Sequence, residues 1–404
     1  MGRRHLTGMA ALYRSDFCNL ELQAVCDLNE RNAEDLADEA HELLGQRPRV
    51  FKDLTVMARE VEGLQGADVP TDTGSHHRVA TACLEAGLHV QCEKPLAITI
   101  KGCTKVIETA EATGKVLSIA ENYRRDPINR LAKALIDDGA LGTPQIMFET
   151  SVGGRNNLFI TPWRHQKLMG TLTLDAGVHN ADILQYYLGR VRDVYGEARL
   201  YEKLRYKTNS GGPGGFYAKW ADNVPDVVEA TGEDAMFGYL RFESGAIGNW
   251  VNHHAGHGKP LNQRMIYGSK ASLSTPGDRN GRPLVLHLDD QEIGDGRILD
   301  YAPSYQLEPL AAQLFGGERV WTYNFPFVDV DAKILALEYY EFGQCMQGQR
   351  VPEVNGEVAR SAVALVYALF ESGQLGRAVT LDEIEQGTVA SYQEEIDRAL
   401  KLIS

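Results

Sequence analysis

Residues 89–96, His-Val-Gln-Cys-Glu-Lys-Pro-Leu, leave this chain few ways to fold. The residues ahead of them pattern as a helix that stops at Ala86-Gly87, a usual C-terminal signal. His89 to Cys92 then reads as a short buried strand. Pro95 has no N–H to give a ladder, and it pushes Lys94 out of helical geometry. Glu93 and Lys94 therefore sit where a strand leaves a sheet, the edge at which open α/β sheets bind ligands. A lysine at an apolar strand end is partly desolvated, which lowers its pKa from about 10.4. It can then donate to a substrate oxygen or take part in proton transfer. An isolated Glu-Lys-Pro would more often be a solvated pair closing a strand, so the rest of the chain decides.

Upstream, short apolar runs alternate with helical patterns. Arg3 to Tyr13 predicts a helix, Leu22 to Cys26 a strand ending at Asp27, and Glu30 to Leu44 a helix. Val50-Phe51, Asp53 to Glu62, and Ala67 to Val69 continue the alternation. Leu96 to Thr113 contains a helix, stopped by Gly114. Val116 to Ala120 is a strand that brings Glu121 and Asn122 to the edge that carries Lys94. Pro127 to Asp138 is a connecting helix. Arg124 and Arg125 read either as structural ion pairs or as anion contacts.

A second chemical element follows. Asp175 and His179 are four apart in a helix running to about Leu188, so they share a face. A histidine near pKa 6.5 suits taking a hydroxyl proton at neutral pH, and a carboxylate one turn away can orient it or hold a neighbouring hydroxyl. Alone, such a pair is more often solvated or capping. From Val191 onward the period changes to two. Val194–Leu200, Ala235–Phe242, Ala246–Val251, Arg264–Tyr267 and Ala271–Ser274 predict antiparallel strands in an open sheet with one face covered by helices. Ser210 to Gly215 predicts a surface loop in preference to a pocket lid, and residues 278–300 a polar, Gly-rich excursion. Ala332–Gln347, Glu357–Gln374 and Val389–Leu402 predict helices that pack back on the first domain.

Length and composition narrow the class. The chain has 404 residues, enough for two or three domains. Its net charge of −14 argues against nucleic acid, which wants a basic face. No run reaches a membrane span, and Met1-Gly2-Arg3-Arg4-His5 is not a signal-like start. Cys18, Cys26, Cys83, Cys92, Cys103 and Cys345 form no CxxC pair, so free thiols in a reducing cytoplasm are expected. His253, His254 and His257 lack an acidic or thiol partner at ligand spacing, so no metal is expected.

Gly87-Leu88-His89-Val90 running into Cys92-Glu93-Lys94-Pro95-Leu96-Ala97 resembles the signature of the Gfo/Idh/MocA oxidoreductases. So do Ala120-Glu121-Asn122-Tyr123-Arg124-Arg125 and Gly170-Thr171-Leu172-Thr173-Leu174-Asp175-Ala176-Gly177-Val178-His179. The match covers most of the chain in the right order. It implies a Rossmann-type dinucleotide-binding domain over residues 1–125. An α+β substrate and oligomerisation domain with a large, open, mostly antiparallel sheet follows over 126–404. It also implies a nicotinamide cofactor, a sugar- or polyol-like substrate, a homodimer or homotetramer, and a cis peptide before Pro95. Lys94, Asp175 and His179 become the catalytic candidates: His179 as base, Lys94 polarising the oxygen, Asp175 orienting the substrate or His179.

The resemblance assigns the cofactor side as well. Asp27, which alone reads equally as a helix-start acid, would bind the ribose 2′-hydroxyl and repel a 2′-phosphate, favouring NAD without excluding NADP. Thr71, His76, Glu93 and Asn122 line the strand exits, with His76 also expected to cap the following helix. Asp72 stands where the family has proline. Trp163 and Arg164 approach the nicotinamide end, Trp163 being equally readable as core filler. Gly170-Thr171-Leu172 stands where the family often shows three glycines, so that loop is expected to be bulkier. The opening departs most. Gly2 would be the last glycine of the pyrophosphate turn, but no G-x-G-x-x-G and no first strand precede it. An incomplete start is expected, since a sheet without its central strand leaves backbone groups unpaired. The implied activity is hydride transfer between a secondary hydroxyl and nicotinamide. Alternatives are glycoside cleavage through transient oxidation, or a non-catalytic NAD-binding regulator.

Overall fold

A computed structural model describes residues 1–208 and 224–403. The expected glycine-rich loop at 210–215 lies outside them. Helix α1 (Gly2–Tyr13) comes first and leads into strand β1 (Ala24–Cys26). Helix α2 (Glu30–Leu44), β2 (Arg49–Phe51), α3 (Leu54–Glu60), β3 (Gly66–Val69), α4 (His76–Glu85), β4 (His89–Glu93), α5 (Ile100–Thr113) and β5 (Leu117–Ala120) follow. The caps explain the boundaries. Asn29 accepts from Arg31 N at the start of α2, and Thr99 from Gly102 N at the start of α5. Gly45 and Gly114 end those helices in the left-handed conformation.

The parallel sheet of this part is divided. β1 pairs with β2, while β3, β4 and β5 form a separate sheet in that order. Arg49 N donates to Gln23 O, and Asp27 N to Phe51 O, so alternation along the ladder turns Ala24 and Cys26 away from β2. Those groups and the outer edge of β3 border a cavity of about 710 Å³ lined by Val25, Ala67, Tyr339 and Phe342. Among the described residues no strand lies between the two edges.

Helix α6 (Pro127–Asp137), N-capped by Asp126, links to the second sheet. Its strands are β6 (Pro144–Gly154), β7 (Val191–Arg199), β10 (Ala235–Phe242), β11 (Ile247–Gly256), β12 (Leu261–Gly268), β13 (Ala271–Thr275), β14 (Val285–Leu288), β15 (Gln291–Ile293) and β16 (Val379–Thr380). A separate hairpin pairs β8 (Leu204–Tyr206) with β9 (Val227–Glu229). The nine strands run β15-β14-β13-β12-β6-β11-β10-β7-β16. β6 lies between β11 and β12, which succeed each other antiparallel in the chain, so it must run parallel to one of them. It is parallel to β11 and antiparallel to β12, the one parallel pair among the described strands of the mostly antiparallel sheet that was expected.

Helix α7 (Leu172–Leu188) and α10 (Gly356–Leu375) cover one face of this sheet. The α10 approach is close: a Cβ on Gly238 would stand 2.3 Å from Leu369 Cδ2. Helices α8 (Pro309–Phe315) and α9 (Phe327–Met346) return to the first part, where α9 packs along α1. Two expectations fail. Residues 278–300 are not a plain excursion, because Val285-Leu-His-Leu and Gln291-Glu-Ile close a hairpin over Asp289, whose φ of 51° replaces the usual glycine. The helix expected over 389–402 shrinks to α12 (Glu394–Ala399), after the short α11 (Leu381–Glu385). Glu371 of α10 captures Tyr392 N and the Ser391 hydroxyl, docking that segment instead of letting it coil. No helix among the described residues is long and apolar enough to cross a membrane.

Candidate active site

Three elements converge where β4 and β5 end. The cis Lys94–Pro95 peptide turns the chain directly after β4. The first two turns of α7, capped by the Thr171 hydroxyl accepting from Leu174 N, carry Asp175 and His179 inward. Lys94 Nζ donates to Asp175 Oδ1 at 3.0 Å and to the Asp175 carbonyl at 2.8 Å. Arg164 Nε donates to Asp175 Oδ2 at 2.8 Å and Nη1 to Thr161 Oγ1 at 2.7 Å. Burial by itself would raise the Asp175 pKa. The Arg164 guanidinium and Lys94 ammonium overrule it and hold the carboxyl well below the usual range. Lys94 is thus tied to two oxygens rather than resting on an apolar strand end.

Asp175 is not the partner of His179. Both its oxygens are taken by cations, and His179 reaches the other way. His179 Nδ1 lies 2.8 Å from both carboxylate oxygens of Glu121, the residue just past β5. Tyr123 stacks on the imidazole, ring centroids 4.2 Å apart and planes 5° from parallel. Arg279 covers Tyr123 at 5.1 Å. Burial is the largest influence on His179 and lowers its pKa; Glu121 pulls it up, Lys94 pushes it down, and the net shift is downward. Sequence reasoning brought Glu121 to this edge without a role, and it missed Tyr123 and Arg279. The Glu121-x-Tyr123 spacing was the available signal, since a three-residue 3-10 turn begins at Tyr123 and folds it back.

The remaining candidates divide into two groups. Asn122 is buried at the same edge, and its Oδ1 has no protein partner. Trp163 lies under the Arg164 guanidinium at 4.2 Å, half-buried, so it is not core filler. Asp27 is exposed at the end of β1, where Oδ1 accepts from Asn29 N at 2.7 Å. Thr71 is exposed after β3. Glu93 and His76 instead spend their polar atoms on the protein. Glu93 accepts from Lys94 N at 2.9 Å and pairs with His5 Nε2 at 3.0 Å. His76 does not cap α4: Nδ1 donates to the Pro95 carbonyl at 2.7 Å, and Nε2 faces the Thr71 carbonyl at 3.3 Å, bracing two exit loops. Gly2 stands at the first turn of α1, where a Cβ would meet only Leu36 and Pro70 at 3.5 and 3.9 Å. Neither space nor φ demands glycine there. Arg124 and Arg125 are buried pairs with Asp182 and Glu341, which resolves their two readings in favour of structure. Among the described residues, no group of histidine, cysteine and carboxylate side chains could hold a metal ion.

Residues 1–121 match a family model described as the GFO/IDH/MocA oxidoreductase family, NAD-binding Rossmann fold. Residues 129–274 match the GFO/IDH/MocA C-terminal domain. The chain is 24% identical to a myo-inositol 2-dehydrogenase of Thermotoga maritima over 90% of this chain and 92% of that protein. It is 27% identical to a D-glucoside 3-dehydrogenase of Escherichia coli over 58% of this chain and 64% of that one. Among solved structures, a levoglucosan dehydrogenase in complex with NADH and levoglucosan superposes with a TM-score of 0.71. It shares 20% identity and covers 94% of this chain and 96% of that one. An NAD-binding oxidoreductase from Klebsiella pneumoniae gives 0.73, with 22% identity over 94% and 95%.

Proposed function

This chain belongs to the Gfo/Idh/MocA oxidoreductases, an NAD-binding Rossmann family, and from that premise we propose that it oxidises a secondary hydroxyl of a sugar, polyol or glycoside. The observation that carries the reading is the juxtaposition of the Lys94 ammonium, its Asp175 partner and the His179 imidazole one helical turn away. A bound nicotinamide supplies the hydride chemistry. The protein supplies position and charge. Lys94 donates to the substrate oxygen and stabilises its developing negative charge. Asp175 holds Lys94 and Arg164 as a cationic pair. His179, neutral because burial depresses its pKa, takes the hydroxyl proton.

The cofactor fits best at its ring end. Asn122 Oδ1 is a buried acceptor lacking a protein donor, as a carboxamide or ribose hydroxyl would supply. Trp163 and Arg164 border the same edge, and Thr71 lies at the exit of β3. At the adenosine end Asp27 stands ready for a ribose hydroxyl, so NAD is the preferred cofactor and NADP the weaker one. His76 and Glu93 act by shaping the loops. Inositols, glucosides and levoglucosan should be screened for NAD reduction. Activity on one of them, abolished by Lys94→Ala and by His179→Ala, supports the reading; unchanged turnover in either variant removes that residue's role. NADH accumulating in step with oxidised sugar distinguishes a dehydrogenase from a glycoside-cleaving enzyme.

The same reading takes the chain to be a cytoplasmic homo-oligomer. The sheet face not covered by helices exposes Tyr195 at 53%, Phe237 at 57% and Tyr239 at 41%, flanked by Phe148 and Tyr267. Contiguous exposed aromatics of this kind mark an association surface. The described cysteines are all free thiols, which suits a reducing compartment.

A further inference from the structure

His179 has two ring nitrogens, and a general base works only if the nitrogen facing the substrate is the bare one. Neutral imidazole carries one proton. A carboxylate accepts only, so a carboxylate against one nitrogen draws the proton to that nitrogen. Both oxygens of Glu121 lie 2.8 Å from Nδ1. Glu121 is itself held: Oε1 also accepts from Tyr123 N at 3.0 Å, and its backbone continues from β5. Tyr123 closes one face of the imidazole, so the ring cannot turn to exchange its nitrogens without displacing that stack.

From this geometry we infer that Glu121 is a positioning residue that places the His179 proton on Nδ1 and leaves Nε2 as the base. The inference rests on the reading of His179 as the proton acceptor. In that step the substrate O–H bond breaks and its proton bonds to Nε2; a bound nicotinamide would take the carbinol C–H pair as hydride, which balances the oxidation. Glu121 stays ionised and balances the imidazolium that forms. It does not take the proton itself, the role described for the aspartate of serine-protease triads.

Charges from every packed element bear on the titration. Lys94 after β4 and Arg279 from the 278–279 loop disfavour imidazolium; Glu121 favours it. Glu121 in turn feels His179 and Lys94, and its charge reaches Asp182 on α7, Glu338 on α9 and Tyr123. Removing the Glu121 charge leaves burial, Lys94 and Arg279 unopposed, so His179 must titrate at still lower pH.

Nitrogen-15 spectra of histidine-labelled, cofactor-free protein read this directly. The native protein should show His179 as the Nδ1–H tautomer. Glu121→Gln should lower the Nδ1–H population and move the titration midpoint down by roughly 1–3 pH units, the range for loss of one close opposite charge. With a substrate in hand, kcat/KM should fall roughly 10²–10⁴-fold with little change in NADH affinity, the scale of a lost base or its orienter. The acid limb of the pH profile should move with the spectrum. Glu121→Asp, which restores a carboxylate, should recover part of both. A merely structural Glu121 would lower Tm yet leave tautomer and midpoint unmoved, and that result overturns the inference. If His179→Ala turns over normally, the base assignment itself is wrong. If His179→Ala is inactive while Glu121→Gln keeps tautomer, midpoint and rate, only the role of Glu121 fails.

Discussion

Asp175 shows what a buried carboxylate must be given to stay charged. Two cations, one on each oxygen, compensate its desolvation. Asp175→Asn removes that compensation and leaves Lys94 and Arg164 facing a neutral amide. Breaking a buried pair from one side costs roughly 3–5 kcal/mol, and the 14% exposure of Lys94 puts this one at the lower end. Urea denaturation should show a lower midpoint with an unchanged slope, together with loss of turnover. His5 and Glu93 form a second buried pair, behind the first. Burial opposes the charged form of each. Asp68 and Glu93 nonetheless raise His5 to about 10, and His5 lowers Glu93 to about 2. The His5 contribution is complete below 6.5 and is lost as pH rises through 10; that of Glu93 is complete above 4.5 and is lost as pH falls through 2. Tm of the native protein should therefore decline between pH 6.5 and 10 through this pair, and His5→Gln should flatten that limb. Equal slopes in both proteins would reject the pairing. The sequence named Lys94, Asp175 and His179, because a strand-ending proline and an i,i+4 spacing are local signals. It did not show that Asp175 serves Lys94 while Glu121 serves His179, because those partnerships join residues 81 and 58 positions apart.

Helices α1 and α9 approach closely at Gly8. A Cβ on Gly8 would lie 2.3 Å from Leu335 Cβ, with Leu335 backbone at 3.2 Å behind it, so no flexible chain end can yield. Gly8→Ala should cost about 1–3 kcal/mol, the usual cost of overpacking, despite the better helix propensity of alanine. A rise in Tm would show that the helices can part. The same packing shapes the candidate site, since Tyr339 of α9 donates to Asp68 at 2.7 Å and contacts His5, which holds Glu93 beside Lys94. Helix and strand positions were legible in the early part of the chain because caps and stop signals are local: α2 spans the expected residues end to end. They were illegible near the C-terminus, where Glu371 captures the Tyr392 backbone from twenty-one residues away.

At the scale of the whole molecule, the open face of the large sheet and the gap in the parallel sheet can each be tested. The aromatic face of the large sheet pairs Tyr239 with Tyr195 across neighbouring strands, in a patch of rings open to solvent. Phe237→Asp with Tyr239→Asp should lower the sedimentation mass toward one chain; an unchanged mass would place the interface elsewhere. The divided parallel sheet makes a separate prediction. Backbone N–H groups of Ala24, Cys26, Gly66 and Asp68 border the cavity between β1 and β3, so they should exchange with deuterium faster than Val90 and Cys92, which lie inside the three-stranded sheet.

The sequence alone determined the alternation of strands and helices, the switch to period-two strands after Val191, and which residues end at a strand exit. Each of these depends on neighbours within a turn or two of chain. Tertiary structure decided the direction of β6 against β11, the split between β1 and β3, the collapse of the last helix, and which carboxylate grips which cation or imidazole. These are contacts between distant segments, and no local pattern encodes the partner a buried charge will find.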